Sequence, residues 1–87
     1  MNVEHSRAII ESARKAVAAA LNPMIDAEGG DPAAAFLVAG GAVKFLGTVL
    51  AYLDEHGLEP TEYRRLMIQM MEETADHIRQ QSKATLQ

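Results

Sequence analysis

Apolar residues recur every three to four positions along this chain, in long segments rich in alanine, leucine, methionine and glutamate, without the two-residue alternation of a half-buried strand. The pattern predicts an all-α fold of three helices. The first is expected over residues 4–21. At 100° per residue, Ile9, Ile10, Ala13, Ala16, Val17, Ala20 and Leu21 fall on one stripe, with Arg7, Glu11, Arg14 and Lys15 opposite. On the polar side Arg7 with Glu11, and Glu11 with Lys15, are expected to pair at i,i+4. Pro23 should stop or kink this helix, since it has no N–H and its ring crowds the preceding turn. Asn22 would then cap a short turn over Pro23–Glu28.

The second helix is expected over residues 32–56. Asp31 is placed to cap it and Pro32 to be its first helical residue, while Gly57 suits the left-handed position after its end and Leu58 would fold back on the last turn. The third is expected over residues 61–83, with Thr61 as N-cap, Glu62 in the first turn and a frayed end over Ser82–Gln87.

The second helix poses the question of what covers it. Ala33 to Leu53 is close to the roughly 20 residues a bilayer requires. Nine of these residues are Phe, Leu or Val, each favouring insertion by about 0.3–0.6 kcal/mol, and Lys44 near the middle opposes by about 2.5–3.5 kcal/mol. The balance is near neutral, both flanks are acidic, and no tryptophan or basic cluster anchors either end. A soluble helix is therefore preferred to a membrane span. Its apolar arc covers about 200°, roughly twice what a surface helix needs. Beside that arc lie the small residues Ala33, Gly40, Gly47 and Ala51. Two neighbouring helices would fill only part of this surface, and short connections favour antiparallel neighbours. The expectation is a three-helix antiparallel bundle, one helical domain over residues 1–87 with a highly apolar central helix. A symmetric homodimer or higher oligomer would form through Phe36, Gly40, Val43, Gly47 and Leu50.

Composition narrows the function. Eighty-seven residues make a small domain with a marginal core of its own, and the chain has no cysteine to staple it. The N-terminal segment mixes charged and apolar residues without the continuous run of a signal peptide, so a cytoplasmic protein is expected. Eight Lys and Arg stand against twelve Asp and Glu, a net charge of −4, which gives no positive field for nucleic acid. No metal site is expected, because His5, His56 and His77 belong to three different segments. No nucleophile–base arrangement is legible either, so neither an enzyme nor a cofactor is expected.

On the third helix Tyr63, Leu66, Met67, Met70, Met71 and Ile78 form the apolar face, and Glu73 is the natural neighbour of His77. Ile68 and Ala75 extend that face sideways near Arg64. This edge, with Arg64, Met67, Ile68, Met71 and Ala75, is the candidate contact for a larger protein partner. The expected function is that of a small homo-oligomeric interaction module: an adaptor, regulator or inhibitor. The alternative is a small-ligand pocket at the dimer interface, with Lys44, Tyr52 and His77 as polar contacts among apolar walls.

Overall fold

The computed structural model describes the backbone of residues 2–86 and the side chains of residues 2–83. Three helices follow in order, α1 (Val3–Ala27), α2 (Pro32–Glu55) and α3 (Pro60–Leu86), with no strand among the described residues.

The ends of the helices are set by local chemistry. Asn2 caps α1, its side-chain oxygen accepting from the His5 amide at 2.7 Å. Contrary to expectation, α1 does not stop at Leu21 but runs through Pro23 to Ala27. Asn22 is thus an interior helical residue. Proline removes one amide donor, yet the residues after it, Met24, Ile25, Asp26 and Ala27, present no break signal of their own. Termination waits for the glycines. Gly29 adopts φ 75°, its amide donating to the Asp26 carbonyl at 2.9 Å, while the Gly30 amide reaches the Ile25 carbonyl at 3.1 Å. This pair of bonds is a Schellman closure, which requires a residue free to take positive φ.

The start of α2 is as the sequence predicts: the Asp31 carboxylate accepts from the Ala33 amide at 3.0 Å, and Pro32 opens the helix. Its end repeats the earlier closure. Gly57 has φ 76° and donates to the Asp54 carbonyl, and the Leu58 amide donates to the Leu53 carbonyl, each at 3.0 Å. At α3 the expected cap moves back two residues. Glu59, not Thr61, supplies the capping oxygen, accepting from the Thr61 amide at 3.0 Å, and Pro60 takes the first helical position. The helix continues to Leu86, beyond the expected end at residue 83; Gln87 lies outside the described residues.

Tertiary contacts gather into two units, Met1–Lys44 and Phe45–Gln87, with the division falling inside α2. In the first unit Ala18, Leu21 and Ile25 on α1, and Ala34, Ala35, Val38 and Ala42 on α2, are half-buried. In the second, Val49, Leu50 and Leu53 on α2 and Pro60 and Met67 on α3 are half-buried. Among the described residues no side chain is fully buried.

Ile9, Ile10 and Val17, on the stripe expected to be covered, are exposed. From Ile68 through Lys83 every α3 side chain is exposed.

Candidate functional site

The surface left open on α2 is apolar and large. Phe36 is 76% exposed, Phe45 65% and Val43 60%, and Leu37, Leu46 and Tyr52 are also exposed. The helix is long and apolar enough to cross a membrane, with a mean hydropathy of 1.8 over its best window. Three glycines, Gly40, Gly41 and Gly47, lie in its interior, where each costs about 1 kcal/mol relative to alanine. A Cβ added at any of them would meet nothing of the chain within 4 Å. Close packing inside this chain is therefore not the reason for them.

Two open hollows border α2, one in each unit. In the first unit a hollow of about 400 Å³ is lined by Met24, Glu28, Ala34, Leu37 and Val38. In the second unit one of about 290 Å³ is lined by Gly47, Leu50, Ala51, Asp54, Pro60 and Arg64. The second hollow joins residues predicted for separate roles: Gly47 and Leu50 for self-association, Arg64 for a partner. Its lining combines the uncharged Gly47, Leu50, Ala51 and Pro60 with one acid, Asp54, and one base, Arg64. Asp54 sits at the C-terminal end of α2, where no basic residue offsets the helix dipole. Arg64 takes no part in the ion pairs found among the described residues.

On α3 the remaining members of the predicted partner edge differ in cover. Met67 is half-buried, whereas Ile68, Met71 and Ala75 are exposed, Met71 at 62%. Neither of these two hollows is lined by Lys44, Tyr52 or His77. Tyr52 instead stacks on His56, ring centroids 4.3 Å apart, and His56 Nδ1 lies 2.9 Å from the Tyr52 carbonyl oxygen. This small cluster was missed in the sequence, although Tyr52 and His56 at i,i+4 were legible as neighbours. Glu73 accepts from the Gln69 side-chain amide at 2.9 Å rather than from His77.

The polar faces are ordered by i,i+3 ion pairs. Glu11 pairs with Arg14, not with Arg7 or Lys15 as expected; the Arg14 Nε–Glu11 distance is 3.0 Å and the fork is completed by a second guanidinium nitrogen. Glu62 pairs with Arg65 through the same fork, and Asp76 pairs with Arg79 through one guanidinium nitrogen. A forked guanidinium favours the closer i,i+3 partner, since both carboxylate oxygens can then be engaged. The hydrogen bonds from Arg14 and Arg65 hold the Glu11 and Glu62 carboxyls below the ordinary glutamate range, and the Thr61 amide does the same for Glu59. All three glutamates lie in solvent, so these shifts describe helix surfaces and caps rather than a reaction centre. No cluster of three or more potential metal ligands occurs among the described residues.

Comparison with known proteins gives no match to a protein family, to a curated protein or to a solved structure.

Proposed function

We propose that this chain is a homo-oligomeric helical interaction module that acts by covering a surface of a larger protein, as an adaptor, regulator or inhibitor. The observation that carries the reading is the lack of any fully buried side chain among the described residues of a chain that is 48% hydrophobic. The accessible surface is 7356 Å², whereas area–mass scaling gives about 5,000 Å² for a folded monomer of 9.4 kDa. A standard interface removes about 800 Å² from each partner. The surplus is thus sufficient for a self-interface and a second, heterologous face together.

In this reading α2 lies in the shared core, through Phe36, Gly40, Val43, Gly47 and Leu50, and antiparallel packing of the helices is completed in the oligomer. The α3 edge of Arg64, Ile68, Met71 and Ala75 is the face offered to the larger partner, in the cytoplasm and without catalysis. Its exposed methionine and β-branched side chains suit an adaptable apolar contact. Sedimentation equilibrium of the purified full chain tests the proposal. The expected result is a concentration-dependent dimer or larger oligomer at micromolar concentration. A chain that stays monomeric across that range, with native helix content, removes it.

A further inference from the structure

Resting on the self-association reading, we infer that two α2 helices pair antiparallel, with Phe36 of each copy seated over Gly47 of the other in the hollow of the second unit. Six residues of α2, Ala33, Phe36, Gly40, Val43, Gly47 and Leu50, are spaced 3, 4, 3, 4 and 3 apart, the repeat of a two-helix seam. Along it small and large side chains alternate without exception. A parallel, in-register pair would set Phe36 against Phe36 and Gly40 against Gly40, bulk on bulk and gap on gap. An antiparallel pair with its two-fold axis between Gly41 and Ala42 sets Ala33 against Leu50, Phe36 against Gly47 and Gly40 against Val43. Every layer then joins a large residue to a small one, which close-packed interiors require.

Four of the six seam residues are exposed in the single chain, and Gly40 and Leu50 are half-buried. Phe36 and Val43 are mostly exposed, and the space where a Cβ of Gly40 or Gly47 would stand is empty to 4 Å. The acceptor for Phe36 is the hollow of about 290 Å³ whose lining includes Gly47, Leu50 and Ala51. Charge bears on the orientation: Asp54 continues the seam four residues beyond Leu50, so the parallel arrangement would bring Asp54 to Asp54, whereas the antiparallel one places the two Asp54 carboxylates at opposite ends of the pair.

The natural chain has no cysteine, so engineered thiols report without background. Full-length A33C and L50C variants, prepared separately, mixed and oxidised, should give a disulfide-linked dimer containing one of each chain. Neither variant alone should crosslink, since residues 33 and 50 of α2 are about 25 Å apart along the helix. Crosslinking of A33C with itself, or of L50C with itself, overturns the antiparallel register. Absence of the mixed crosslink in a chain that still sediments as a dimer overturns the α2 seam while leaving self-association standing; a monomer overturns both. A second variant covers loss of folding. Gly47→Leu improves helix propensity and its Cβ meets nothing of its own chain within 4 Å, yet its side chain fills the place of Phe36, so the dimer Kd should rise at least tenfold. An unchanged or lower Kd overturns the seam.

Discussion

Substitution of the α2 glycines by alanine separates the needs of the single chain from those of an assembly, because the two effects have opposite sign. Within one chain, Gly→Ala in a helix interior stabilises by about 0.8–1 kcal/mol. At Gly40, Gly41 and Gly47 the new methyl has no neighbour within 4 Å, so no steric penalty offsets that gain. Within a packed seam, an added methyl forces side chains off their rotamers at about 1–3 kcal/mol per site. Two-fold symmetry counts each site twice. For Gly47→Ala the dimer should weaken by about 2–6 kcal/mol, at least about thirtyfold in Kd.

Gly41 is the internal control. It lies next to Gly40 in sequence but off the seam, so Gly41→Ala should stabilise the helix and leave association unchanged. Urea unfolding at two protein concentrations gives the stability of the single chain and its coupling to assembly. Sedimentation equilibrium on the same samples gives the dimer Kd. The reasoning fails if Gly47→Ala associates as tightly as the native chain, or if Gly41→Ala weakens association to the same extent.

Other outcomes follow from particular contacts. Gly57→Ala should destabilise the chain by about 1 kcal/mol, read by urea unfolding, because Gly57 holds φ 76° in the closure of α2. Combined Arg64→Glu and Ile68→Asp should abolish capture of a heterologous partner and leave helix content by circular dichroism intact; retained capture would move that face elsewhere. The carboxyls of Glu11, Glu59 and Glu62 are depressed by the Arg14, Thr61 and Arg65 hydrogen bonds. Their stabilisation is present above the ordinary glutamate value and is lost as pH falls through the lower folded-state values. Helicity should therefore hold from pH 7 to about 5 and decline below about 4; a flat acid profile contradicts this. Lys44→Leu removes about 3 kcal/mol of opposition to bilayer insertion. The variant should float with neutral phosphatidylcholine vesicles and the native chain should not, and flotation of the native chain would refute a soluble α2.

The parts of this fold legible in the sequence are those fixed by short-range chemistry. Asp31–Pro32 and Gly57–Leu58 mark the two ends of α2 because a capping carboxylate and a positive-φ glycine each act within a few residues. Pro23 misled because a proline removes one donor without forbidding the helix on either side, and nothing stops α1 until Gly29. Thr61 misled because the glutamate two residues earlier reaches the same amide. At the candidate site, the excess apolar surface of α2 was legible from the width of its arc. The meeting of Gly47 and Leu50 with Arg64 was not, since it depends on where the start of α3 lies beside the end of α2, and no periodicity encodes that. The exposure of Ile9, Ile10 and Val17 was not legible either, since amphipathic spacing marks a face without saying what the rest of the chain brings against it.

A bilayer and a second α2 would cover the same residues, and hydropathy does not distinguish them. Volume and charge do. Lipid chains are fluid and conform to any outline, so a lipid-facing stripe has no need to alternate large and small side chains over six positions. A rigid surface of the same sequence running the other way has that need at every layer. Lys44 lies beside the proposed seam rather than in it, so pairing of two α2 helices does not enclose its ammonium charge between them. In a bilayer the same ammonium would stand near mid-depth, and the acidic Asp31, Asp54 and Glu55 would border both faces without a basic anchor. The size alternation of α2 is thus a feature that lipid would not use and a second copy of the helix would turn into packing, and it is this that supports the proposal of a protein-covered surface.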